Sequence, residues 1–331
     1  MCKFVTPREM AFLLSDHTGR LVMVPHIRPD GDAAGSCLAL ALTLKAIGKN
    51  TAVLALEKMA DEYDFLEGLA DAIPALEYAP LPEDVMVVLD CGAIGRIAEP
   101  LRAHAGKIAK FCVDHHKDYT GFADFAIVDE SAGSASELVM SIIEAGKFPI
   151  TRGVAEAIWT GIVTDTGRFS YPSVTPETLR RAAGLIEAGA RFDQINDRIF
   201  NRVDIKRFRL RNRFLGSFGI SPDGKIAIAS LSPEDYAAED CDAYDSDSFI
   251  DIVRSVKGSE IAVFLRKTHP ENTVKISMRT TEKFDAAEIC KTEWGGGGHS
   301  RAAGAEISGS LPDVRDKVMR RLQTLVAADE N

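Results

Sequence analysis

The chain lacks several features that would narrow its class. It has six cysteines, Cys2, Cys37, Cys91, Cys112, Cys241 and Cys290, and none pair as C-x-x-C. Several sit in apolar runs, which reads as buried free thiols in a reducing compartment. No stretch approaches about 18 consecutive apolar residues, so nothing is expected to span a membrane. The first residues carry no basic stretch followed by an apolar run, so no signal peptide is expected and a cytoplasmic location is. Basic charge is short as well: 39 Lys and Arg against 49 Asp and Glu leave a net charge of −10. Proteins that coat duplex nucleic acid are usually basic, so binding to long duplexes is not expected. A small anionic ligand, held by a local patch or through metal ions, is compatible with that charge.

What is present is an ordinary globular composition. The 331 residues are 46% hydrophobic and 27% charged. That suffices for roughly two domains of about 150 residues, each able to bury a core.

The stretch His26-Ile27-Arg28-Pro29-Asp30-Gly31-Asp32 follows the apolar run 21–24 and precedes an Ala/Leu-rich segment, 33–47. This reads as strand, loop and helix. The loop carries an imidazole and two carboxylates at H-x3-D-x-D spacing, and Pro29 and Gly31 hold it in a turn. Taken alone, it reads better as a helix cap on a solvated loop, with Asp32 as the cap. Three further clusters of the same chemistry overturn that reading. The run 85–89, of the buried parallel-strand kind, ends in Asp90. The strand 109–113 ends in Asp114-His115-His116. A helix at 153–163 leads into Thr164-Asp165-Thr166-Gly167-Arg168-Phe169, where Arg168 could meet an anion.

The remaining elements fall between these clusters. Residues 1–19 read as a helix with Met10, Phe12, Leu13 and Leu14 on its apolar side, closed by Gly19. Further strands are expected at 51–55 and 125–128, a helix running to Ile143 after a Ser-rich turn, and a helix at 176–188. Strands alternating with helices predict an α/β domain with a mostly parallel sheet, whose strand ends converge at one rim. His26, Asp30, Asp32, Asp90, His115 and Asp165 would meet there. Two imidazoles and four carboxylates cannot crowd together without cations. With no thiolate among them, the set suits Mn²⁺ better than a structural zinc. Six ligands suit a pair of divalent ions roughly 3.5–4 Å apart, bridged by a carboxylate and a water. Adjacent His115 and His116 point to opposite sides of an extended chain, so at most one joins the cluster squarely.

In order, His26–Asp32, Asp90, Asp114-His115-His116 and Asp165 resemble the four motifs of the DHH phosphoesterase superfamily. The resemblance implies that His26, Asp30 and Asp90 bind one metal ion, and that Asp32, Asp90, His115 and Asp165 bind the other. Asp90 would be the bridge. His116 would face the substrate phosphate and assist the leaving group, and Asp114 would orient a ligand from behind.

On this reading residues 1–188 form the catalytic domain, 189–217 a connector helix and 218–331 a smaller C-terminal α/β domain. The connector carries the only basic run, Lys206, Arg207, Arg209, Arg211 and Arg213. A solvated helix face is the favoured account of it; the other is a helix that draws in an oligonucleotide. In the C-terminal part, strands 261–267 and 273–279 read as a hairpin turning at His269-Pro270-Glu271-Asn272. Then comes Gly295-Gly296-Gly297-Gly298-His299-Ser300-Arg301-Ala302-Ala303-Gly304. The glycines admit a close ligand and expose amide donors, and the Arg301 fork matches phosphate.

This segment resembles the GGGH stretch of the DHH-associated C-terminal domain. That implies that Gly296, Gly297, Gly298, His299 and Arg301 grip a terminal phosphate and base. Arg266, Ser277 and Arg279 on the hairpin either assist or are ordinary strand surface. The domain order and the Asp165–Phe169 stretch are similar to the nanoRNase/pAp phosphatase (NrnA-type) branch. The branch implies two-metal hydrolysis of short 5′-phosphorylated oligonucleotides, pApA-type dinucleotides or pAp, in a cleft between domains. Three alternatives stay open: a stand-alone cyclic-dinucleotide phosphodiesterase, a DHH-type inorganic pyrophosphatase and a nucleotide-binding module without catalysis. The general frequency of dimers suggests a homodimer.

Overall fold

Apolar runs with one residue in two facing each side become the inner strands of a parallel sheet. The computed structural model describes residues 2–55, 61–267 and 272–329; His269, Pro270 and Glu271 of the expected hairpin turn lie outside them. The chain divides into two units, Met1–Arg202 and Val203–Asn331. In chain order the first unit contains β1 (Lys3–Phe4), α1 (Pro7–Asp16), β2 (Leu21–Val24), α2 (Gly31–Ala46), β3 (Thr51–Ala55), β4 (Ile73–Pro74) and β5 (Val85–Leu89). It continues with α3 (Glu99–Ala105), β6 (Ala109–Asp114), β7 (Phe125–Val128), α4 (Ala135–Gly146), α5 (Arg152–Asp165), α6 (Pro176–Glu187) and α7 (Phe192–Asn196).

The strands pair in the order β1-β7-β6-β5-β2-β3-β4, every described pair parallel. Both faces are covered. Leu21, Met23, Val85, Val87 and Leu89 enter one core with α1, α2, α4 and α5. Val22, Val24, Met86 and Val88 enter another. From β2 the chain crosses to β3 on one side, while β5, β6 and β7 build outward on the other. The strand order therefore reverses between β2 and β5, the place where open α/β sheets gather ligands.

Two sequence expectations change here. The first helix is shorter than 1–19: Thr6 and Glu9 form a capping box that starts it at Pro7, and it ends at Asp16. Met10 and Leu14, one turn apart, face the core, whereas Phe12 lies off that face and is 64% exposed. The segment 189–217 is not one helix. Ile195 packs into the first core with Ile199 and Phe200 beside it. After a break, α8 (Ile205–Gly216) seats Leu210 and Phe214 in the second unit.

The second unit continues with β8 (Gly219–Ile220), β9 (Ile226–Leu231), α9 (Pro233–Ala238), α10 (Phe249–Arg254), β10 (Ile261–Arg266) and β11 (Thr273–Thr280). It closes with α11 (Ala286–Trp294), β12 (Gly297–His299), β13 (Ala302–Ser308) and α12 (Leu311–Asp329). The order is β12-β13-β11-β10-β9-β8, with β9 and β10 parallel and the other described pairs antiparallel. On one face, Val314, Val318 and Leu322 of α12 meet Ile228, Val263 and Ile276. On the other, Phe214 stacks at 5.0 Å from both Phe249 and Phe264. The glycine run is in part the edge strand β12, paired with β13. Among the described residues no helix is long and apolar enough to cross a membrane.

Candidate metal centre

The carboxyl ends of β2, β5 and β6 deliver His26, Asp90 and His115 to the point where the strand order reverses. Asp165 arrives differently, as the last residue of α5 rather than from a strand tip. Asp30 caps α2, its Oδ1 accepting from the amides of Asp32 and Ala33 at 3.1 and 3.0 Å. The capping role considered for Asp32 thus belongs to Asp30. Asp32 is wholly buried in the first turn of α2 and reaches across to α4, where it accepts from Ala135 N at 2.6 Å and Ser136 N at 2.9 Å. A helix N-terminus with free amides is a natural seat for a carboxylate.

The structure brings His26, Asp30, Asp32, Asp90, His115 and Asp165 together, with His116 at the border. His26 Nε2 lies 3.5 Å from Asp90 Oδ2 and 4.0 Å from Asp30 Oδ1. His115 Nε2 lies 3.2 Å from Asp165 Oδ2, 3.4 Å from Asp90 Oδ1 and 3.9 Å from Asp32 Oδ2. His26 Nδ1 donates to Ile27 O at 2.7 Å and His115 Nδ1 to Ala132 O at 3.3 Å. Carbonyls only accept, so each Nδ1 carries a proton and each Nε2 is turned to the carboxylates. His116 is oriented the other way round: its Nδ1 donates to Asp114 Oδ1 at 2.8 Å.

Two groups of ligand atoms result, His26–Asp30–Asp90 and Asp32–His115–Asp165, each with its ligand atoms within 4.8 Å of one another. A third, Asp90–His115–His116, overlaps them. Oxygen and nitrogen atoms bound at about 2.1 Å to one ion lie roughly 3–4 Å apart, so the spacings fit a divalent cation. The Asp90 backbone stands at φ 55°, an uncommon conformation for a residue with a side chain, and its buried Oδ1 has no hydrogen-bond partner. An orphaned buried carboxylate oxygen amid three other carboxylates is what a cation would satisfy.

Electrostatics agree. Burial opposes ionisation of Asp90, but His115 and His26 outweigh it and draw its pKa down to about 2. Burial disfavours the His115 imidazolium, yet Asp90, Asp32 and Asp165 push its pKa up to about 10. Burial lifts Asp165; His115 opposes and Asp90 adds, leaving it at about 6. Burial, then Asp90 and Asp165, hold Asp32 well above the usual carboxylate range. Without a cation this cluster keeps protons that ligands must give up.

Of the second-unit residues singled out in the sequence, Gly297, His299, Ser277, Arg279 and Arg266 share one sheet face. Register places His299, Ala302, Arg279 and Ala262 in one row and Gly297, Gly304, Ser277 and Phe264 in another. Arg266 follows at the same parity. His299 and Arg301 are exposed, while Gly297 and Gly304 leave the surface bare of side chains between them. Gly298 stands at φ 145° and Gly296 lies where a Cβ would strike the Gly304 carbonyl, so both need glycine. Three guanidinium groups have partners in their own unit. Arg266 pairs with Asp247 at 2.5 Å, Arg279 donates to Met278 O at 3.0 Å, and Arg301 donates to the Thr281 and Phe284 carbonyls. Arg168 is exposed in the first unit, its guanidinium 5.0 Å over the Phe200 ring.

Sequence reasoning missed the carbonyls of Ile27 and Ala132 and the amides of Ala135 and Ser136. A capping serine at Ser134 signals a helix start, and so free amides, but not what they bind.

Residues 20–162 match the DHH family, N-terminal domain, and residues 223–327 the DHHA1 domain. The chain is 35% identical over 322 residues to the bifunctional oligoribonuclease and PAP phosphatase NrnA of Thermus thermophilus, covering 96% of this chain and 93% of that one. The protein of the same name from Bacillus subtilis is 27% identical over 317 residues, 94% of this chain and 96% of the relative. The crystal structure of an exopolyphosphatase-related protein from Bacteroides fragilis has a TM-score of 0.87 at 28% identity, covering 98% of both chains. With an aspartate–histidine centre at the sheet's reversal point and these likenesses along its length, the chain belongs to the DHH phosphoesterase family, on the branch of the NrnA proteins, and is a hydrolase.

Proposed function

We propose that the protein hydrolyses short 5′-phosphorylated oligonucleotides, of the pApA or pGpG kind, to mononucleotides, and removes a phosphate from pAp. The observation that carries this reading is the division of the ligand atoms into two groups, His26–Asp30–Asp90 and Asp32–His115–Asp165, with Asp90 Oδ1 3.4 Å from His115 Nε2. His26, Asp30 and Asp90 would hold one divalent ion and Asp32, Asp90, His115 and Asp165 the other, with Mn²⁺ the best match to imidazole and carboxylate donors. When bound, the ions supply charge neutralisation at the phosphate and an activated water.

The chain's own residues do the rest. Asp114 occupies His116 Nδ1, so Nε2 is the atom free to hold a proton. The Asp114 hydrogen bond raises the His116 pKa above the usual imidazole value, which favours the imidazolium at neutral pH. His116 then delivers that proton to the departing oxygen as general acid. Arg168 offers a guanidinium to an anion near Asp165. His299 and the amides of Gly296–Gly298 receive the phosphate and base on the bare face of the second unit. Arg301 shapes that turn through its carbonyl contacts, and Ser277, Arg279 and Arg266 border it.

The test is a product time course with Mn²⁺, offering pApA, a 5′-phosphorylated RNA trimer, a long single strand, pAp and cyclic di-AMP side by side. Rapid release of mononucleotides from the dimer and trimer, with the long strand and the cyclic substrate slow, is the expected result. Rapid opening of cyclic di-AMP with slow attack on pApA would replace the reading by a cyclic-dinucleotide phosphodiesterase.

A further inference from the structure

The carboxylate of Asp32 is placed by a neighbour that has no side chain. Gly161 lies one helical turn before Asp165 on α5, so both present the same face. That face packs against α2, where Gly31 and Gly35 also stand one turn apart. A Cβ on Gly31 would come within 2.6 Å of Thr164 Oγ1, and one on Gly35 would strike the Ala157 carbonyl. These two glycines therefore let the helix backbones approach. Gly161 differs in what it faces. A Cβ there would lie 2.5 Å from Asp32 Oδ1 and nearer still to Ser136 Oγ.

Neither group can move away without cost. Asp32 is fixed through Oδ1 by the Ser136 amide and through Oδ2 by the Ala135 amide. Turning it would strip a fully buried carboxylate of its donors. The Ser136 hydroxyl is itself buried and favours the ionised Asp32 beside it, so turning it away has a cost as well. The seat of Asp32 is thus two amides on one side and the vacant Cβ position of Gly161 on the other.

We infer that Gly161 is a positioning residue for the Asp32–His115–Asp165 group: its missing side chain leaves room for the Asp32 carboxylate and fixes where Asp165 meets His115. The inference rests on the two-ion reading above. A methyl group at 161 displaces Asp32 and shifts Asp165 with it, while the His26–Asp30–Asp90 group, built on the loop after β2 and the tip of β5, keeps its geometry.

The experiment measures Mn²⁺ bound per chain by equilibrium dialysis, with Mn–Mn coupling read by electron paramagnetic resonance, for the full chain and its variants. The wild type should bind two coupled ions, and Asp165→Asn should lose one. Gly161→Ala should retain one ion, show no coupling, and bind the second at least tenfold more weakly. Gly153→Ala serves as control, because it adds the same methyl to the same helix but meets only the Glu67 side chain; it should keep both ions. If Gly161→Ala fails to fold, Ser136→Thr fills the same space from the opposite wall and should lose the same ion. Two coupled ions with unchanged affinity in Gly161→Ala or Ser136→Thr overturn the inference, as does an equal loss in Gly153→Ala. A wild type that binds one ion, or an Asp165→Asn that keeps two, overturns the two-ion reading itself and the inference with it.

Discussion

His116 Nδ1 donates to Asp114 Oδ1 at 2.8 Å, and Asp114 is fully buried behind it. The pair fixes both the ring orientation and the protonation of His116. Asp114→Asn keeps the shape but removes the charge. The His116 pKa, raised first by that hydrogen bond, should then fall. The acid form is lost at lower pH, so the alkaline limb of the kcat profile should move to lower pH. At neutral pH kcat should drop by about 10²–10⁴. A pH–rate profile of both proteins on pApA checks this; an unmoved alkaline limb would exclude His116 as the acid.

Metal binding should release protons. With its pKa at about 10 in the ion-free protein, His115 is an imidazolium at neutral pH and must lose that proton to become a ligand. Affinity should rise by about tenfold per pH unit for each proton displaced. Near pH 6 and below, protonated Asp165 adds to the release. Calorimetric titration of Mn²⁺ in buffers of unlike ionisation enthalpy counts the protons. In the chelated protein the same raised pKa gives a stabilisation fully present below the usual imidazole value of about 6.5 and lost as pH rises through about 10. Its Tm should fall across that window.

Asp90 belongs to the His26–Asp30–Asp90 group, lies 3.4 Å from His115 of the other, and is a strained residue at φ 55°. Asp90→Ala and Asp90→Gly should each abolish turnover and weaken both metal subsites. They should differ in stability, the glycine variant being favoured by about 1–2 kcal/mol because it lacks the Cβ that disfavours left-handed backbone. Urea titrations of the chelated proteins, with dialysis for metal content, separate the two effects. Near-normal turnover in either variant would remove Asp90 from the bridge.

In the second unit, His299 is exposed on β12, whereas Arg301 is engaged by carbonyls of Thr281 and Phe284. His299→Ala should raise KM for nucleotides more than for a generic phosphodiester, with Tm unchanged. Arg301→Ala should raise KM in the same selective way and also lower Tm, since two carbonyls lose their donor. Michaelis–Menten kinetics on both substrates, with thermal melts, decide it. Equal changes on the two substrates would make the glycine-rich segment only a turn.

Phe214 is 1% exposed and its ring stacks on Phe249 and Phe264. Phe214→Ala should destabilise the second unit by about 3–5 kcal/mol. Because the two units have separate cores, Mn²⁺ binding should survive. Denaturant melts followed with metal content test this, and loss of bound metal at low denaturant would contradict it.

The sequence by itself determined the inner strands and the chemistry at their ends. Continuous apolar runs such as Val85–Leu89 have one reading when both faces are buried, and a carboxylate at the end of such a run is conspicuous. His26, Asp90 and His115 were legible for that reason, and Asp165 because its chemistry repeated theirs. Local pattern failed where a neighbour decides the outcome. Phe12 reads as core but lies off the buried face of α1, and the glycine run carries no strand pattern of its own until β13 offers it a partner. Residues 189–217 look like one helix, yet Ile195 and Phe214 are claimed by different cores and the chain breaks between them. Only the tertiary structure decided that Asp30 rather than Asp32 caps α2, and that Asp32 crosses more than a hundred residues to the amides of Ala135 and Ser136. Backbone amides carry no residue identity, and a glycine's empty Cβ position has none either. What seats Asp32 is therefore written in the packing of α2, α4 and α5 rather than in any motif.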